Sequence, residues 1–162
     1  MPKNIYMKKS AILILLLSSI LFFSKKANAQ DYKAAAGLKF SYEFGPAGKY
    51  FINETDALEL QIGLRSHGAA LTGLWERHIG FQEIEKFKLY FGFGAHLGGV
   101  GDHANPRYNQ TLLLGADGVV GVEWVIPNSP IALSGDLNPR LELGRGPYFD
   151  LSPGIGIKYI FK

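Results

Sequence analysis

From residue 34 to the end, apolar residues alternate with charged, polar or glycine residues, and a period of two belongs to β-strands. Splitting six windows by parity shows how strict the alternation is. One parity collects Leu38–Phe44, Leu58–Leu64, Phe87–Leu97, Leu114–Trp124, Ile131–Leu137 and Pro153–Phe161, 29 positions without a charge. The interleaved 28 positions carry nine: Lys39, Glu43, Glu59, Arg65, Lys88, Asp117, Glu123, Asp136 and Lys158. Two further segments complete the set. Ala69 to His78 puts Leu71, Gly73 and Trp75 on one face and Thr72, Leu74 and Glu76 on the other, and Gly48 to Ile52 is a short strand. Strands are therefore predicted over 34–44, 47–52, 57–65, 69–79, 87–98, 112–126, 130–140 and 151–161. Turn chemistry separates them: Gly45-Pro46 as a tight turn, polar Asn53–Asp56, Arg65–Gly68, and Pro127-Asn128-Ser129-Pro130 with two strand-stopping prolines. The longer links are 80–86, 99–111 and 141–150. No helix, internal repeat or domain linker is evident.

The first 29 residues are of another kind. Lys3, Lys8 and Lys9 precede an apolar run, Ala11 to Phe23, which leads to Ala27-Asn28-Ala29-Gln30. A basic, then apolar, then small-x-small order marks a cleaved secretory signal peptide. Thirteen residues are short of the ~20 that a spanning helix needs. The chain thus divides into a signal peptide, 1–29, and one domain, 30–162. The leader also explains the charge. The whole chain has 17 basic and 14 acidic residues, but five of the lysines lie in 1–29. The exported part keeps 12 basic against the same 14 acidic residues, which removes the support for nucleic-acid binding. The absence of cysteine excludes a disulfide scaffold, a thiolate metal site, a cysteine nucleophile and a lipidated N-terminal cysteine.

Alternation alone does not say which face is buried. A soluble barrel points its apolar face inward, whereas a barrel in lipid points it outward and lines its interior with polar residues. Glycine favours the second. All 20 glycines lie in 30–162 and many share the charged face, where a narrow barrel has little room for side chains. Aromatics near strand ends, Phe44, Phe87, Trp124, Tyr159 and Phe161, suit interfacial girdles. Several windows reach the ~9–11 residues of a tilted crossing. The expected fold is all-β: a closed, antiparallel, up-and-down transmembrane β-barrel of about eight strands, with both termini periplasmic. The weak point is 47–52, since six residues cannot cross a bilayer core.

Several stretches carry a resemblance: Ala36-Gly37-Leu38-Lys39-Phe40, Lys49-Tyr50-Phe51-Ile52, Leu71-Thr72-Gly73-Leu74-Trp75-Glu76-Arg77-His78, Tyr90 to His96, Gly118 to Trp124, and Pro130 to Pro139. Together they resemble the small outer-membrane β-barrel domain proteins of Gram-negative bacteria, over nearly all of 30–162. Gly156-Ile157-Lys158-Tyr159-Ile160-Phe161 resembles the terminal-strand signal read by the barrel insertion machinery, with Lys162 one residue beyond the final aromatic. The resemblance implies the outer membrane as location, with membrane lipid and that machinery as partners. A monomer is expected.

Catalysis finds little support. A Ser–His pair needs hydrogen-bond reach and a third, orienting group, which adjacent Ser66-His67 rarely achieves. The lipid deacylase barrels place Ser two residues after His, and the four histidines here are followed at that spacing by Ala69, Gly80, Gly98 and Asn105. His96, Asp102 and His103 are suitable metal ligands by type but not by spacing. A lumen histidine beside a solvated loop accounts for them. No catalytic, cofactor-binding or metal-binding residue is assigned, and a non-enzyme is expected. The interleaved charges, four positive and five negative, nearly balance. An ion-selective pore calls for rings of one sign, so paired charges plugging the lumen are expected instead. Two other readings stay open: a soluble, periplasmic, lipocalin-like binding barrel, if the apolar set faces inward, and a lipid-modifying barrel enzyme.

Overall fold

The computed structural model describes residues 31–65, 68–81, 84–101, 112–144 and 148–161. The proposed leader and its cleavage point lie outside the described residues, as do Ser66, His67, Asp102, His103 and Lys162. Eight strands follow in order: β1 Ala34–Phe40, β2 Phe44–Phe51, β3 Asp56–Arg65, β4 Gly68–Gly80, β5 Phe87–Val100, β6 Leu112–Val125, β7 Ile131–Glu142 and β8 Tyr148–Phe161. Each pairs antiparallel with its sequence neighbours, and β8 returns to β1 to close the barrel.

The first turn differs from expectation. β1 stops at Phe40, the chain reverses over 41–43, and Gly45-Pro46 lies inside β2. Ser41 N–H donates to the Glu43 carbonyl, and the Phe40 and Phe44 rings meet across the turn at 4.7 Å. Pro46 has no N–H to donate. The β2–β3 ladder accordingly skips Gly45 and Pro46, running from Phe44↔Leu64 directly to Ala47↔Gln61. Gly45 is there for close approach, since a Cβ would stand 1.8 Å from the Ile62 carbonyl oxygen. The second difference is at β7 and β8, which run on to Glu142 and Tyr148 and shorten the expected 141–150 link to 143–147. Pro139 does not stop β7. Instead, the β6–β7 ladder lapses between Asp117↔Arg140 and Val120↔Leu137.

The other turns follow local chemistry. Asn53 Oδ1 accepts the backbone N–H groups of Thr55 (2.9 Å) and Asp56 (2.7 Å), an Asx turn between β2 and β3. Asn128 adopts the left-handed conformation (φ 60°) between β6 and β7, which Asn tolerates better than most residues.

The registers fix the size of the barrel. One row of paired residues runs Gly37, Ala47, Gln61, Thr72, His96, Gly115, Glu142, Tyr148. Gly37 itself pairs with Lys158, ten residues along β8 from Tyr148. Eight strands staggered by ten residues tilt by about 40°. The stagger is even, so inward and outward faces stay matched on closure.

The apolar face is outside. Ile155 is 69% exposed and Phe93 67%, while Lys39 is 1% and Glu76 0% exposed. This arrangement suits a barrel whose outer surface meets lipid, and it excludes the lipocalin-like arrangement, which needs the apolar set inside. The wall is uneven. At this tilt β1, with 7 residues, rises roughly 18 Å and β8, with 14, roughly 35 Å. The last β1–β8 pair is Phe40↔Ile155, so Tyr148 to Gly154 of β8 stand above the first hairpin with no β1 residue opposite. The barrel is short on the side where 47–52 looked too brief to span.

Candidate functional site: a charge-filled lumen

Inward positions on all eight strands bring charged side chains into a space that adjacent backbones nearly close. Gly94 shows how tight it is: a Cβ there would stand 1.8 Å from the Gly73 carbonyl oxygen. Gly121 leaves room for the Tyr90 ring and Asp136.

At the end nearer the termini, Lys49 on β2 is the hub. Its Nζ lies 2.8 Å from Glu76 on β4, 3.0 Å from Glu123 on β6 and 3.5 Å from Glu59 on β3. It also sits 4.5 Å from the Tyr90 ring centroid, a cation–π contact. Glu76 reaches His78 Nε2 at 3.1 Å, and the His78 ring stacks on Tyr90. Tyr32, ahead of β1, turns into this end. Its hydroxyl donates to Glu123 at 2.8 Å and its ring meets Phe51 edge-on. Burial, and then the Glu123 carboxylate, push the Tyr32 phenol well up, so it stays a donor. Asp31 closes on Lys88 at 2.9 Å.

Midway, Lys39 bridges Glu59 (3.0 Å) and Asp136 (2.9 Å), and Lys158 reaches Glu59 at 2.9 Å. The Tyr90 hydroxyl donates to Asp136. Toward the other end, Arg140 spans Glu43 (2.9 Å) and Asp117 (2.7 Å), and Arg65 stands 3.6 Å from Glu43. His96 lies between Asp117 (Nδ1, 2.7 Å) and Glu142 (Nε2, 3.1 Å). Both nitrogens face carboxylates, so both bonds form only on the doubly protonated ring. Among the described residues the inner set then has six Lys and Arg plus one imidazolium against seven carboxylates: Glu43, Glu59, Glu76, Asp117, Glu123, Asp136 and Glu142. Charges this deeply buried are tolerable only when paired in this way.

All nine charges read from the alternation lie on the inner face. Arg65 is the least enclosed, with 11% of its side chain exposed. Sequence reasoning missed Lys49, Arg140 and Glu142 as lumen charges. Arg140 lies within the expected 130–140 strand but beyond the window divided by parity, Glu142 carries the inward parity of β7 past that strand's expected end, and Lys49 sits at the inward parity of a strand whose faces were not assigned. Extending each parity would have found them. Of the residues weighed for chemistry, His96 is a lumen histidine with both nitrogens engaged. Asp102 and His103, and the Ser66-His67 pair, fall outside the described residues. Among the described residues no cluster of three His, Asp or Glu side chains is arranged to hold a metal ion.

No family model matches the chain, and neither does any curated protein. Solved structures do. The N-terminal β-barrel domain of Pseudomonas aeruginosa OprF matches at 15% identity and a TM-score of 0.59, over 80% of this chain and 100% of that one. Neisserial surface protein A (NspA) matches at 12% identity and 0.51, over 79% of this chain and 94% of its own. At these identities the likeness speaks to architecture, and in architecture the chain is a small, closed, eight-stranded antiparallel β-barrel like the full length of the OprF domain.

Proposed function

We propose that the chain is an integral outer-membrane β-barrel protein with a plugged, charge-paired lumen, acting in envelope structure or surface interaction and without catalytic activity. The observation that carries this is the inversion of the barrel: a continuous apolar exterior around fourteen paired charges. Such an exterior is stable only in lipid, and closure leaves no strand edge for hydrocarbon to strand along most of the wall. The leader would export the chain, and the β8 sequence would present it to the insertion machinery. Both termini would then be periplasmic and the 101–111 link extracellular. The likeness to the OprF domain and to a neisserial surface protein supports the same reading. Ion pairs filling a narrow lumen leave no single-sign ring to select ions.

Two measurements test this together. The mature protein folded in detergent is expected to migrate differently on a gel before and after boiling, and to give no steady channel conductance in planar bilayers. Solubility in plain buffer without a heat shift would overturn the membrane reading. A freely conducting lumen would make the protein a pore.

A further inference from the structure

The outer face is not uniformly convex. Between β1 and β5 it holds an open groove of about 750 Å³. The registers explain it. One row of outward residues reads Phe161, Ala34, Tyr50, Leu58, Trp75, Phe93, and the next reads Tyr159, Ala36, Gly48, Leu60, Gly73, Ala95. The row beyond that is bulky again, with Leu38, Ile62, Leu71 and Leu97. Small residues thus form a hollow between an aromatic row and an aliphatic one. The glycines in the hollow differ from those of the lumen. A Cβ on Gly73 would meet nothing within 4 Å, and on Gly48 only the Ala35 carbonyl oxygen at 4.0 Å. The packing of the barrel does not require them; they keep its exterior hollow.

The groove has a charged end. Lys33, exposed just ahead of β1, holds its ammonium 5.9 Å from the Tyr50 ring centroid, and no carboxylate among the described residues pairs with it. Arg77 lies 5.3 Å from the Trp75 ring while clamped to Asp56 at 2.7 Å. Aromatic rings under cations at one end of an apolar trough match the two parts of an anionic amphiphile.

We propose that this groove binds one acyl chain of an anionic phospholipid, with its phosphate at Lys33. The inference rests on the membrane reading above, and with the termini periplasmic it places the lipid in the inner leaflet of the outer membrane. A second copy of the chain is a poorer occupant: a two-fold contact apposes the same patch on both subunits, so hollow would face hollow. A flexible chain fills such a shape.

Native mass spectrometry of the mature protein in micelles doped with phosphatidylglycerol or phosphatidylethanolamine, acyl chains matched, tests this. One phosphatidylglycerol should be retained, about fivefold more than phosphatidylethanolamine, and Lys33→Gln should erase that preference. Gly48→Leu with Gly73→Leu should cut retention about tenfold, roughly what losing two buried methylenes costs. Gly135→Leu is the control: that glycine also has nothing within 4 Å of a Cβ, but lies outside the groove. It should leave retention unchanged. Undiminished binding in the double variant, equal retention of the two lipids, or a dimer that the double variant dissolves would each overturn the proposal. Each variant is first checked for the heat shift on a gel. Loss of that shift in the unaltered protein would count against the barrel reading itself, a separate failure.

Discussion

Glu123 accepts from Lys49 and from the Tyr32 hydroxyl, partners 74 and 91 residues away in the chain. Removing one member of a buried ion pair leaves the other charge stranded, at a cost of about 3–5 kcal/mol. Lys49 keeps Glu76 and Glu59, so Glu123→Ala should lower unfolding stability in urea-titrated micelles by the low end of that range, ~3 kcal/mol. Glu123→Gln, which keeps an acceptor for Tyr32, should cost clearly less. A second comparison separates the two classes of glycine. Gly94→Ala forces a Cβ against a backbone carbonyl with no flexible side chain to yield, whereas Gly135→Ala meets open space. The first should be destabilised by at least ~2 kcal/mol and the second should stay within ~0.5 kcal/mol, read from the same urea titrations. At this scale the sequence made the face of most strand residues legible but not their partners. Parity separates inside from outside. Which inward residues share a height depends on a ten-residue stagger that no local pattern encodes.

At the scale of elements, the strands were legible because each repeats the same alternation, and Gly45-Pro46 was where reading failed. Gly45-Pro46 reads as a tight turn and Pro139 falls near the expected end of its strand, yet each proline sits inside a strand at a position where one neighbouring ladder lapses. A propensity for turns cannot anticipate that, because the ladder gap is a property of two strands. Pro153 has a third role. It stands on the stretch of β8 above the first hairpin, where the free side of the strand could template another chain. Proline offers no N–H there, and Asp150 Oδ1 takes the N–H of Leu151 at 2.8 Å. Both blunt an exposed edge, as edge strands require. Asp150→Ala combined with Pro153→Val should restore two donors and give cross-linked dimers in detergent where the unaltered protein gives monomers. A variant that remains monomeric would show the edge to be protected by something other than these two residues.

For the molecule as a whole, the inside-out sorting of charge was legible from alternation and glycine placement, and the solved barrels share the closed architecture. The hollow on the outer face was not legible. It appears only when Ala36, Gly48 and Gly73 are brought into one row by the register, from segments that look unremarkable apart. The unequal height of the wall has a consequence for how the protein sits in its membrane. A lipid-facing band of about 25 Å is taller than the β1 side and shorter than the β7–β8 side. Such mismatch is relieved by bilayer thinning or by tilt. The barrel axis is therefore expected to lean away from the membrane normal, sinking the first hairpin into the lipid while the tall β7–β8 hairpin beside it stands proud of the bilayer.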